Sequence, residues 1–243
     1  MGLRLLCITA HPDDECFAFG GALALASLRQ VETSIVCLTD GSAGSFRGAA
    51  SSAQELGQIR RAEFAASCQI LGVRHHEVLD YQDGRLEHQP LSKLAADLVQ
   101  RIRILRPHVI ITFGGDGGLN THADHTVASA AATAAFHWAG SPKRFPDLGE
   151  LYTPQRLYYL TMNFFVEGRH RHIPAPWTLT VDVSSVLPSK LQAMQAHTTQ
   201  APLMERARPI FDKHGGEERY LLAATVIPQP AMQSTEMFEG VTE

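Results

Sequence analysis

Short apolar runs alternate with longer stretches of helical periodicity through the first half of the chain. Residues 3–9 form an apolar block closed by a turn, which predicts a buried parallel strand. Residues 16–28, rich in Ala and Leu, predict a helix, and residues 34–38 a second strand running into Thr39-Asp40-Gly41. Residues 55–71 are helical in period and stop at Gly72. A third strand is expected at 77–79, a helix at 91–105 ended by Pro107, and a fourth strand at 109–113. The glycine-rich loop 114–120 then leads into a helix over 122–137.

Strands separated by helices imply βαβ units, so the expected class is α/β: a Rossmann-like, mostly parallel sheet flanked by helices. Its default strand order, 3-2-1-4, opens a ligand crevice between the carboxyl ends of strands one and four. The last third is less regular. Strands are expected at 157–161 and 178–183 and a helix at 189–197, after which Pro202, Pro209, Pro228 and Pro230 interrupt the pattern. The polar stretch from about residue 229 is expected to fray. The organisation anticipated is one domain over 1–243, with a Rossmann-like core at 1–140 and an irregular α/β extension at 141–243 shaping the pocket.

Composition removes alternatives rather than adding any. A net charge of -4 without a long run of one sign argues against a nucleic-acid partner. The apolar run at 3–10 is too short for a membrane span or a signal-peptide core, so a cytoplasmic location without a membrane partner is expected. Cys7, Cys16, Cys37 and Cys68 lack the close spacing of a zinc knuckle or redox pair, which predicts reduced, buried thiols.

Candidate chemistry gathers at two places. Ala10-His11-Pro12-Asp13-Asp14-Glu15 sets one imidazole and three carboxylates at the end of the first strand. Zinc accepts both donor types at about 2.0–2.2 Å, and a catalytic site needs three protein ligands plus water. The same acids also suit a plain helix N-terminus, where the dipole favours them. Thr121-His122-Ala123-Asp124-His125 follows the fourth strand. Its Thr-x-x-Asp spacing predicts a helix capped by Thr121, with His122 and His125 on one face of the first turn. Two solvated histidines at a surface helix start are the alternative, but the topology brings both segments to one crevice.

These segments resemble the LmbE/PIG-L family of zinc-dependent N-acetylglucosaminyl deacetylases. Residues 10–15 fit the family's (A/P)HPDDE motif in full. Thr39-Asp40-Gly41, Arg60 to Glu63 with Leu71-Gly72, Tyr81-Gln82-Asp83-Gly84, Arg106-Pro107, Val181-Asp182-Val183, Lys190 and His197-Thr198-Thr199-Gln200 have counterparts there. Thr121 and Ala123 depart from the family's Gly and Pro, and Thr199 from its Ser.

The resemblance implies that His11, Asp14 and His125 hold one Zn²⁺ per subunit, with other divalent metals such as Fe²⁺ compatible. It implies Asp13 as general base and His122 as oxyanion stabiliser or acid, with Asp124 orienting and helping to charge His122. Arg60 is a candidate substrate contact or the partner of Glu63, His197 a second substrate contact, and Glu15 a structural acceptor. The implied reaction removes the N-acetyl group from a small molecule containing N-acetylglucosamine, in a homo-oligomer with a hexamer among its forms. An amidase acting on thiol-glycoside conjugates and a non-catalytic, metal-containing sugar-binding module are the alternatives. Arg169-His170-Arg171-His172 suits a solvated loop better than a metal tract. The glycines at 114–118 lack the GxGxxG context after the first strand, so no nucleotide cofactor is expected.

Overall fold

The computed structural model describes residues 2–164, 173–229 and 233–243. In chain order these form β1 (Arg4–Thr9), α1 (Asp14–Ala18), α2 (Gly20–Leu28), β2 (Glu32–Thr39), α3 (Ala53–Ile70), β3 (His75–Tyr81) and α4 (Leu91–Leu105). They continue with β4 (Val109–Phe113), α5 (Ala123–Trp138), β5 (Arg156–Thr161), β6 (Leu179–Asp182), α6 (Leu187–Ala196), α7 (Ala201–His214) and β7 (Glu217–Thr225).

The strands make one seven-stranded sheet in the order β3-β2-β1-β4-β5-β7-β6. β3 through β5 pair in parallel, while β7 lies antiparallel between β5 and β6. The expected 3-2-1-4 order is therefore present, and β1 and β4 flank its switch point. β4 is buried along its whole length, and β1 and β2 everywhere except their first residues, because helices cover both faces of a parallel sheet. Ser52 caps α3 by accepting the Glu55 amide at 3.1 Å, and Gly72 ends it with φ 72°.

Several expectations need correction. The single helix over 16–28 is two helices, broken at Phe19 (φ -125°, ψ 0°). Phe19 is fully buried against Phe113, with ring centroids 5.2 Å apart. The second helix restarts where Glu218 of β7 accepts the Gly21 and Ala22 amides at 2.7 and 2.9 Å, a long-range cap that local periodicity does not reveal. α7 runs through Pro202, which sits in its first turn where no amide partner is needed, and it also contains Pro209. β7 was not expected at all. The described residues from 233 onward do not fray: Ser234 bridges to Leu179, Met237 is buried, and its carbonyl accepts from Arg156 at 3.2 Å. All four cysteines are free and buried. The Arg169 to His172 tract lies outside the described residues.

Gly21 is required for close approach rather than for its backbone angle. A Cβ there would stand 2.6 Å from Val183 Cβ and 2.7 Å from Glu218 Oε1. Gly21→Ala is expected to lower stability by about 1–3 kcal/mol through overpacking. Thermal unfolding checks this, and an unchanged midpoint would show that α2 can retreat freely from β7.

Candidate metal and catalytic site

The carboxyl end of β1 turns sharply into α1, and Asp13 sits in that turn at φ 112°, a conformation rare for a non-glycine residue. Arg60, projecting from α3, spans the turn: its guanidinium donates to Asp13 Oδ2 at 2.8 Å, to Gly41 O at 2.8 Å, and to the Pro12 carbonyl. Gly41 is the residue that leaves room for it, since a Cβ there would lie 2.1 Å from Arg60 Nη1. On the other side, Glu15 accepts the Asp13 amide at 2.8 Å. The strained turn is thus held by two buried charged side chains.

His11, Asp14 and His125 converge. His11 Nδ1 and His125 Nε2 are 3.3 Å apart, and His125 Nε2 lies 3.1 Å from Asp14 Oδ1. The other nitrogen of each ring is engaged elsewhere. His11 Nε2 faces Asp83 Oδ1 at 3.1 Å and Asp124 Oδ2 at 3.2 Å, while His125 Nδ1 faces the Gly117 carbonyl at 3.0 Å. These acceptors fix the tautomers, so Nδ1 of His11 and Nε2 of His125 point lone pairs at each other and at a carboxylate oxygen. Such an arrangement repels itself unless a cation lies between the donors. A tetrahedral site with bonds of about 2.0–2.1 Å has donor separations of roughly 3.3 Å, so the trio fits a zinc-sized ion.

Supports around the trio are buried and specific. Asp14 Oδ2 accepts the Ala10 and His11 amides at 3.1 and 2.8 Å, leaving Oδ1 for the site. Burial opposes its ionisation, but His125 and His11 hold its carboxyl well below the usual carboxylate range. Phe113 stacks on His125 at 3.9 Å and 7°, locking the ring. Asp13 behaves differently from Asp14: burial pushes its carboxyl up to about 6, against the pull of Arg60.

The structure brings most of the sequence candidates together and reassigns several. The Asp124 carboxylate does not bond to His122. It faces His11 and accepts the Gly84 and Leu86 amides at 2.8 and 3.1 Å, tying the loop after β3 to the site. Thr121 is not the α5 cap. It has φ 51°, and His122 takes the cap position by accepting the Asp124 amide on Nδ1 at 3.1 Å.

Arg60 forms no pair with Glu63, which instead accepts from Thr198 and Thr199. Arg60 is itself buried and its bonds go to Asp13, Pro12 and Gly41, a supporting role the sequence did not suggest. His197 is also buried, pairing with Glu15 at 2.6 Å behind the turn, so it is not on the cleft wall as a substrate contact. Asp83 was missed. Its place in the turn just after β3, at the carboxyl end of the same parallel sheet two strands from β1, is the available signal.

Asp13, Asp14 and His125 open into a cleft of about 360 Å³ whose other wall is α7. Residues 6–136 match the family described as PIG-L: GlcNAc-PI de-N-acetylase. A 1D-myo-inositol 2-acetamido-2-deoxy-alpha-D-glucopyranoside deacetylase of Rhodococcus jostii is 30% identical over 239 residues, covering 81% of each chain. A mycothiol S-conjugate amidase of Streptomyces coelicolor is 30% identical over 177 residues, covering 65% of this chain and 60% of that protein. A conserved protein of Thermus thermophilus superposes with a TM-score of 0.73 at 27% identity, covering 96% of this chain and 100% of that one.

Proposed function

This chain belongs to the PIG-L family, and on that premise we propose that it removes the N-acetyl group from a small molecule containing N-acetylglucosamine. The observation that carries the reading is the convergence of two imidazole lone pairs and one carboxylate oxygen on a point beside Asp13. In this reading His11, Asp14 and His125 would hold a Zn²⁺, which when bound would supply Lewis-acid polarisation of the amide carbonyl and acidify water towards neutrality.

The protein's own groups do the rest. Asp13 takes the proton of the attacking water and returns it to the departing amine nitrogen. Arg60 occupies Oδ2 of Asp13, so Oδ1 is the oxygen that exchanges the proton. His122 accepts the Asp124 amide on Nδ1, so its Nε2–H is the face that can donate to the oxyanion developing at the carbonyl. Asp83 and Asp124 position His11 by accepting at its Nε2. The homo-oligomeric state implied by the family resemblance and the cytoplasmic location expected from the short apolar run are part of the same proposal.

The test is acetate release from a panel of N-acetylglucosaminides by enzyme of measured zinc content. Asp13→Ala is expected to keep its zinc and lose roughly 10²–10⁴-fold in turnover, the usual worth of a positioned base. Acetate release by that variant at the parent rate would overturn the assignment of Asp13. The Streptomyces coelicolor amidase supports a second use of the same amide chemistry, on a thiol-glycoside conjugate. Cleavage of such conjugates without acetate release from any simple N-acetylglucosaminide would favour it.

A further inference from the structure

α7 carries Leu203, Ala207, Ile210 and Phe211 at helical spacing, yet none of its residues is buried. Phe211 meets Phe17 of α1 edge-on at 5.6 Å, and His214 stacks on Phe164 at 4.0 Å. Leu203, Ala207 and Ile210 face the cleft whose floor is Asp13, Asp14 and His125, and Leu160 and Met162 line the same space. Its volume, about 360 Å³, falls within the ~300–1,000 Å³ range of small-ligand sites.

Several polar groups on the cleft walls are already engaged inside the protein. Lys190 pairs with Glu218 at 2.6 Å, and Arg219 pairs with Glu217 at 2.5 Å and donates to Asn163 at 2.6 Å. Thr161 donates to the Ala175 carbonyl at 2.7 Å. The exposed Arg206 guanidinium, 5.4 Å from the centre of the Phe46 ring, and Arg219 Nε, which has no acceptor, are polar donors left at the edge of the cleft. A pocket for a bare polyhydroxylated group needs unengaged donors and acceptors, because a hydroxyl buried without a partner costs binding. Away from its floor, most of the surface this cleft offers is apolar.

We propose that the substrate is an N-acylated amino sugar carrying an apolar chain, and that Leu203, Ala207 and Ile210 select that chain. The inference rests on the deacetylase reading above. The chain belongs either to the aglycone or to the acyl group, and both sources meet the same wall.

Two substrate series distinguish them: methyl against hexyl N-acetylglucosaminide, and N-acetyl against N-hexanoyl on the methyl glycoside. Each buried methylene is worth about fourfold, so if half the added chain is buried kcat/KM is expected to rise roughly 30-fold across the glycoside series or roughly 15-fold across the acyl series. A Leu203→Gln, Ile210→Gln double variant is expected to erase most of that gain while turning over methyl N-acetylglucosaminide as the parent does. Both positions are only half-buried, and a thermal scan verifies that the variant is folded.

Rates within threefold across both series would overturn the proposal, as would a folded double variant that keeps the preference. Calorimetric binding of the hexyl and methyl glycosides to Asp13→Ala separates the two levels of the reading. Tighter hexyl binding in a chain that hydrolyses no glycoside would uphold the apolar subsite and sink the deacetylase reading. Equal binding there, with the N-hexanoyl methyl glycoside also binding no tighter than methyl N-acetylglucosaminide, would sink the subsite itself.

Discussion

His125→Ala is expected to yield a folded protein that retains no stoichiometric zinc and loses on the order of 10⁴-fold in acetate release, several kcal/mol of transition-state stabilisation. His125 brings the second imidazole lone pair to the cluster, 3.3 Å from His11 Nδ1 and 3.1 Å from Asp14 Oδ1. Without it two donors are left, fewer than the three protein ligands of a catalytic zinc site. The fold should survive. Removing an inward-facing imidazole relieves the crowding of lone pairs, and its main packing loss is the ring stacked on Phe113. Metal analysis after gel filtration, circular dichroism and acetate assay check the three parts separately. Full zinc occupancy with activity within tenfold of the parent would mean that the site lies elsewhere. Chelation of the parent, followed by return of zinc, is expected to reproduce the loss and reverse it.

The largest stability effect is expected from Glu218→Ala. This carboxylate is buried and makes four bonds: to Lys190 Nζ at 2.6 Å, to the Gly21 and Ala22 amides at 2.7 and 2.9 Å, and to the Tyr220 hydroxyl at 2.7 Å. The substitution strands the buried Lys190 ammonium and uncaps α2 in one step. Breaking a buried pair from one side costs about 3–5 kcal/mol. For a domain of this size that corresponds to a fall of roughly 6–20 °C in Tm. A second removal separates the charge from the cap: Lys190→Met in the Glu218→Ala background should recover part of the loss, since no unpaired ammonium then remains. A Tm within 2 °C of the parent for Glu218→Ala would show that water reaches Lys190 and that the pair is not truly buried.

Glu218 also shows why the C-terminal third was poorly legible. Glu217-Glu218-Arg219 follows a glycine pair and looks like a polar surface turn, yet it opens β7. Glu218 is buried there because its partners come from α2 and α6, 28 to 197 residues away in sequence. Local pattern carries no record of such partners. Pro202 misled for a related reason: a proline signals a break only if its amide would otherwise be bonded, and at the first turn of α7 that condition does not hold, whereas Pro209 lies inside the helix without ending it.

Sequence by itself determined the parallel half of the sheet, because uninterrupted apolar runs at β1, β2 and β4 have few other ways to be buried. It also determined which residues would gather at the switch point, since both chemistry-bearing segments follow strands that must be neighbours. Tertiary structure alone decided how those residues divide their work. Asp124 and Asp83 both turn to His11, and His122 becomes a helix cap. Arg60 holds Asp13 in its left-handed turn, and His197 is committed to Glu15 behind it. Each outcome depends on side chains from different elements meeting in a dry interior, where every buried polar group takes the nearest partner the fold supplies.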